Sequence, residues 1–378
     1  MKDILKNINY YINFYMNQFM KIYKNSPSSE EKEIIIIKPD RIGDFILWIK
    51  SLESIINTYT ESKITIVCDK SVVQLLEVIK NLKIKIISID REKFLLNLYY
   101  RWKILKRLKG KKYYIAINPL YSRDFLSESL LESIIADKKI GINGDDSNLN
   151  SKLLERYNKN YTKLYTIPNS CIHELEINKN FIKKICGLNN NSRELKLEFD
   201  RTRKIKEKYI VIFLGSSSPK KQWNIEKFIG IEQEFPLEYT LVLLGGSSEL
   251  KIGEIFQKNI SKKRNIRNLI GKTNMKEVCN YIYNSNLVIT NDTFAVHLST
   301  LLEKDSLCIV GGGHFGRFLP YPGKSFKILP KVIFHKMDCF GCKWKCKYAT
   351  TPYHCINIIK EEEVILKIKN ILVEKNNL

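Results

Sequence analysis

Apolar positions along this chain recur in two rhythms. Ile34 to Ile37 form a continuous apolar run, as a strand buried on both faces requires, directly after a Ser/Pro/Glu break at Ser26 to Glu31. Lys63 to Cys68, Lys85 to Ile89 and Tyr113 to Ile117 predict further strands, and the segments from Ile42, Val72, Phe94 and Phe125 predict the helices between them. This alternation is the βαβ rhythm of a parallel sheet with helices on both faces. Gly141 to Asn150 reads as a Gly/Asp/Asn/Ser loop, and Asn189 to Lys208 is polar and charged. A second alternation begins at Tyr209 to Leu214 and runs through Thr240 to Leu244, Leu287 to Ile289 and Leu307 to Val310. Helices are predicted near Ile225, Leu250, Met275 and Ala295.

A chain of 378 residues suits two α/β domains, each able to bury its own core. The expected division is a helical extension over residues 1–30, a Rossmann-like domain over 31–200 and a second over 201–378. Open parallel sheets bind ligands at the carboxyl ends of their strands, so the strand-to-helix loops of both halves are expected to face one cleft. In the extension, Ile4, Leu5, Ile8, Tyr11, Ile12, Tyr15, Phe19 and Ile22 recur at helical spacing among lysines. Such a helix lies in a membrane interface or docks on the first domain. It lacks the apolar core and small-residue cleavage site of a signal peptide. No run approaches the ~18 apolar residues of a membrane-spanning helix, so the expectation is a cytoplasmic protein, with peripheral inner-membrane contact left open.

The net charge of +23 is spread along the chain and favours acidic partners in general, nucleotide sugars, phosphorylated glycans and anionic membranes included. Nine cysteines are present. Cys68, Cys171, Cys186, Cys279 and Cys308 stand singly in apolar or helical surroundings, where a buried thiol is the expectation. Cys339, Cys342, Cys346 and Cys355 cluster as C-x2-C, then three residues to the third and eight to the fourth, a spacing that brings four thiolates within reach of one tetrahedral ion. Disulfides are the alternative, disfavoured in a reducing compartment.

Four segments carry candidate chemistry. In Lys38-Pro39-Asp40-Arg41-Ile42-Gly43-Asp44, a strand passes through a glycine turn into a helix whose first turn holds Asp44. In Gly215-Ser216-Ser217-Ser218-Pro219-Lys220-Lys221-Gln222-Trp223, small residues after a strand let backbone amides approach a phosphate, and a lysine supplies the countercharge. Leu243-Leu244-Gly245-Gly246-Ser247-Ser248-Glu249 repeats that logic. Asn291-Asp292-Thr293-Phe294-Ala295-Val296-His297 starts a helix with capping residues and places His297 one turn on, along the same face.

In this order, these motifs resemble the signature of the family 9 glycosyltransferases, the heptosyltransferases, over about residues 33 to 373. The resemblance implies an α/β protein of the GT-B fold, two Rossmann-like domains facing a cleft, here with a small four-cysteine finger over residues 339–355. It implies an inverting transfer of a sugar, heptose by default, from a nucleotide-sugar donor, ADP-heptose by default, to a phosphorylated or lipid-linked glycan acceptor such as a lipopolysaccharide core, without catalytic metal. By position, Asp44 is the general base, Lys221 and Ser216 to Ser218 hold the donor phosphates, and Gly245 and Glu249 lie at the nucleoside end. Asp292, Thr293, Phe294, Ala295 and His297 orient the donor. Lys220 is an alternative to Lys221, and Glu249 reads equally as a helix-start carboxylate. Phe294 departs from the family's glycine. Gly311-Gly312-Gly313-His314-Phe315-Gly316-Arg317 departs from its G-P-T-x-P loop, leaving His314 and Arg317 as donor-binding cations. The cysteine finger implies structural zinc by default, or iron, which similar heptosyltransferases of autotransporter proteins carry. Two alternatives stay open: a sugar-nucleotide epimerase of the same fold, and a nucleic-acid-binding protein with a four-cysteine knuckle. A nucleic-acid partner is not expected, since no basic-aromatic platform is evident.

Overall fold

The computed structural model describes residues 11–13, 15–16, 32–187, 195–199, 207–323, 325–348 and 350–376. Most of the N-terminal amphipathic stretch, the Ser26 to Glu31 break and most of the Asn189 to Lys208 stretch lie outside the described residues. The chain divides into two compact units after Lys196.

The first unit is a parallel sheet of β1 (Glu33–Lys38), β2 (Lys63–Asp69), β3 (Lys85–Ile89), β4 (Lys112–Asn118), β5 (Ile135–Asn143) and β6 (Lys163–Thr166), in the order β3-β2-β1-β4-β5-β6. All six residues of β1 are buried, as its unbroken apolar run requires, and it pairs with β2 and β4, Ile35 opposite Thr65 and Ala116. The helix Ile42–Thr58 follows β1 and buries Phe45, Trp48, Leu52 and Ile55. A core of Ile35, Ile37, Val67, Ile89, Phe94, Leu105, Leu126 and Leu130 lies between the sheet and its helices. Gly141 to Asn143, expected in a loop, close β5 instead: Ile140, Gly141 and Ile142 are buried between β4 and β6. The charged first half of β5 masks that apolar end.

The second unit repeats the plan with β7 (Tyr209–Phe213), β8 (Thr240–Leu243), β9 (Ile266–Asn268), β10 (Leu287–Asn291), β11 (Ser306–Ile309) and β12 (Lys331–Ile333), in the order β12-β11-β10-β7-β8-β9. The C-terminal helix Glu361–Asn376 inserts Val364, Ile368 and Ile371 beside Phe228 and Ile231 of the helix Ile225–Glu232. Within each unit the winding reverses between two neighbouring strands, β1 and β4 in the first and β7 and β10 in the second. Loops leaving such a pair diverge and open a crevice at the carboxyl ends of the strands. Among the described residues, no helix is long and apolar enough to cross a membrane.

Candidate functional site

In the first unit the reversal point falls at the I-G-D motif. Lys38, the last residue of β1, is fully buried, and its ammonium pairs with Asp40. Burial works to discharge Lys38, yet its pKa is raised, because Asp40, Glu174 and Asp44 outweigh that penalty. The half-buried Asp44, in the first turn of the helix Ile42–Thr58, therefore lies in the field of a buried cation. Arg41 is the N-cap residue and makes no side-chain cap bond. The signal for Lys38 is a lysine closing an all-isoleucine run, where a buried charge needs partners. From β4 a second buried network rises: Tyr161 donates to Glu128 at 2.8 Å, Arg123 pairs with Glu128 at 3.2 Å, and Asn118 donates to Tyr161.

In the second unit the serine loop leaves β7 and the N-D-T motif leaves β10, on either side of the reversal point. Ser216 donates to the Ser218 carbonyl, and Ser218 caps the short 3-10 turn Pro219–Lys221 by accepting from the Lys220 N–H at 3.3 Å. Asn291, fully buried, ties the two loops together. It accepts from the Trp223 N–H at 2.9 Å and donates to the Leu214 and Gly215 carbonyls at 2.9 and 3.1 Å. Lys221 is half-buried with its ammonium 4.2 Å from the centre of the Trp344 ring. Burial raises the pKa of Asp292, and the charge of the nearby Lys221 pulls it back down.

The helix Phe294–Leu301 is capped by Thr293, whose hydroxyl accepts from the Ala295 N–H at 3.3 Å and meets Thr290 at 3.0 Å. The sequence offers both Asp292 and Thr293 as caps. Thr293 takes the N-cap position, and Asp292 stands one residue before it. Phe294 leans edge-on against Phe213, filling space that the family's glycine leaves open. Ala295 is buried. His297 is buried too, its Nδ1 2.6 Å from the Tyr321 hydroxyl and its ring stacked on the tyrosine. Glu249 folds back to accept from the Gly246 N–H at 2.9 Å, and burial raises its pKa against that bond. A Cβ on Gly215 would come 1.8 Å from this carboxylate and one on Gly245 2.0 Å, so both glycines are needed for it to close the loop.

His314 accepts from Trp344 Nε1 at 3.3 Å, and Arg317 lies over the Phe318 ring at 5.4 Å. The cysteine segment packs beside them. Burial raises the Cys355 pKa, the Gly312 N–H at 3.4 Å lowers it, and the charges of Cys339, Cys346 and Cys342 raise it further, so each of the other three lies within electrostatic range of Cys355. Gly341, Lys343 and Trp344 take left-handed backbone at φ of 82°, 50° and 62°, turning the chain sharply between the cysteines. Four thiols suit a soft metal, but among the described residues no three His, Cys, Asp or Glu side chains are placed to share one ion. The expected ligand cage is thus not assembled here. Of the five single cysteines, Cys68, Cys279 and Cys308 are buried. Cys171 and Cys186 are only half-buried, Cys171 because it sits in the loop before its helix.

The family model described as glycosyltransferase family 9 (heptosyltransferase) matches residues 101–346 of this chain. The chain belongs to glycosyltransferase family 9. Lipooligosaccharide heptosyltransferase 2 of Campylobacter jejuni is 29% identical over 165 residues, 42% of this chain and 49% of that protein. The chain thus spans about half the length of the curated relatives it matches. Among solved structures, the E. coli ADP-heptose lipopolysaccharide heptosyltransferase II superposes with a TM-score of 0.67 at 15% identity, covering 91% of this chain and 99% of that one. The iron-containing dodecameric glycosyltransferase TibC of enterotoxigenic E. coli gives 0.53 at 13% identity, covering 93% and 81%. These likenesses establish that the family 9 chain shares their fold.

Proposed function

We propose that this family 9 chain is an inverting glycosyltransferase that moves a heptose from ADP-heptose to a glycan acceptor of the lipopolysaccharide-core type. The observation that carries the reading is that the family's motifs occupy the winding-reversal point of each sheet, with Asn291 bonded to both sides of the second. Asp44 takes the proton from the acceptor hydroxyl, whose oxygen forms the new bond to the anomeric carbon as the carbon–oxygen bond to the diphosphate breaks. The bonding pair leaves with the nucleoside diphosphate. Lys221, the serine-loop amides and the N-terminus of the helix Phe294–Leu301 stabilise the charge that develops there. The buried Lys38 lies close enough for its charge to be felt by Asp44. Incubation with ADP-heptose, with and without a core acceptor, tests the reading. ADP release that needs the acceptor supports it; conversion of the sugar nucleotide without acceptor points to epimerisation.

Two further features complete the proposal. Cys339, Cys342, Cys346 and Cys355 would hold one structural zinc or iron, which supplies a crosslink and no reaction step, since four thiolates leave a tetrahedral ion without an open position. Peripheral membrane contact is supported by the surface at the start of the helix Leu98–Lys109: Leu96 just before it is 85% exposed, Leu98 49% and Tyr99 71%, with the exposed Lys103 and Lys106 following. An apolar and aromatic stripe passing into lysines matches an anionic lipid surface.

A further inference from the structure

We infer that Trp344, carried by the cysteine segment, is a positioning residue for the donor: its ring fixes the ammonium of Lys221 in the second unit. The inference rests on the reading of Lys221 as the donor-phosphate ligand.

The ring is held from several sides. Its Nε1 donates to His314 at 3.3 Å, and Tyr353 stacks on it at 5.2 Å and 26°. It lies flat against the triple-glycine loop, where a Cβ on Gly313 would come 2.2 Å from the ring and one on Gly311 2.9 Å. The glycines that replace the usual family loop therefore admit the indole. Lys343, in left-handed backbone like Trp344, donates its N–H to the Gly313 carbonyl at 2.8 Å, which locks the turn to the loop. Tyr353 continues the wall, donating its N–H to the Lys220 carbonyl at 2.7 Å with the Lys220 ammonium 5.8 Å from its ring. Each of the two adjacent lysines thus faces one aromatic ring borne between Cys342 and Cys355.

The chemistry suits a phosphate ligand. A ring face attracts an ammonium without neutralising it and uses none of its three N–H donors. A lysine held in this way is ordered before the diphosphate arrives, which lowers the entropic cost of binding. It follows that order in the cysteine segment and affinity for the donor are coupled.

Calorimetric titration of the full chain with ADP, alongside donor KM and kcat, tests this with Lys221→Ala, Trp344→Phe and Trp344→Leu. Phe keeps a ring face; Leu keeps apolar volume against the glycines without one. Lys221→Ala is expected to weaken ADP binding about tenfold or more. Trp344→Leu is expected to weaken it about fivefold and raise the donor KM with kcat little changed, while Trp344→Phe stays within about twofold of wild type. Equal affinities for the Leu and Phe variants, with Lys221→Ala weakened, would overturn the positioning role alone. Wild-type affinity in Lys221→Ala, or no ADP binding by the wild type, would overturn the reading of the phosphate loop and this inference with it.

Discussion

Asn291 accepts the backbone N–H of Trp223 at 2.9 Å while its amide nitrogen donates to the carbonyls of Leu214 and Gly215. One buried side chain therefore satisfies three backbone groups of the serine loop. Asn291→Ala leaves them without partners in the interior, and the expected cost is at least about 2 kcal/mol in denaturant unfolding. ADP affinity should fall as well, because the loop loses the tie that sets its distance from Asp292. Unfolding and binding curves that both match wild type would show that the bridge holds nothing.

Asp44→Asn is expected to leave ADP affinity near wild type and to cut turnover by ~10² or more, the contribution typical of a general base. Stopped-time assays with saturating donor and acceptor read this directly. Near-normal turnover would reduce Asp44 to a helix-start carboxylate.

The sheet strands that surround each reversal point are legible in the sequence because they are buried on both faces and read as unbroken apolar runs. Of the edge strands, β3 is legible and β6, β9 and β12 are not. Four residues in β6 and three each in β9 and β12 are too few to show a period, and lysines in β5 hide its buried end. At the site, the sequence exposes residues that stand in motifs, Asp44, Lys221 and Asp292 among them. It conceals those that act through neighbours. Asn291 reads as part of N-D-T but works as a clamp, and Trp344 lies about 120 positions after the lysine it touches. Lys38 needs only the question of what neutralises a charge at the end of a buried strand.

Glu128 gives a pH prediction. Burial lifts its carboxyl from 4.5 to about 7, against the pull of Arg123 and the Tyr161 hydrogen bond. The folded state therefore binds this proton more tightly than the unfolded one, and the associated stability, complete below the unfolded value, is lost as pH rises through about 7. Glu128→Gln mimics the protonated form. Its unfolding free energy should match wild type near pH 5 and exceed it at pH 8, by up to about 3 kcal/mol on the scale of 1.4 kcal/mol per pKa unit. A difference independent of pH would show that Glu128 does not titrate there.

The exposed stripe on the helix Leu98–Lys109 predicts sedimentation with vesicles rich in phosphatidylglycerol and little with phosphatidylcholine alone. Leu96→Ser combined with Tyr99→Ser should release the protein from those vesicles, since each removes an exposed side chain that lies at the lipid boundary. ADP binding, measured in parallel, confirms that the variant is folded. A shift in oligomeric state with unchanged vesicle binding would assign the stripe to a second copy of the chain.

Metal content is the last expectation. The fold already supplies much of what a four-thiolate site needs: Gly341 turns the chain after Cys339 with φ of 82°, Cys342 and Cys346 follow on a tight left-handed turn, and Cys355 already accepts a backbone N–H from Gly312. The remaining step is to draw the thiols together, which a cation drives by binding their sulfurs as they give up their protons. Protein purified without metal-affinity resin is expected to hold about one equivalent of zinc and iron combined. Chelation should lower the thermal midpoint and, through Trp344, weaken ADP binding in the same titration. Less than about half an equivalent of both metals together, with a midpoint that chelators do not move, would leave the four cysteines as ordinary thiols.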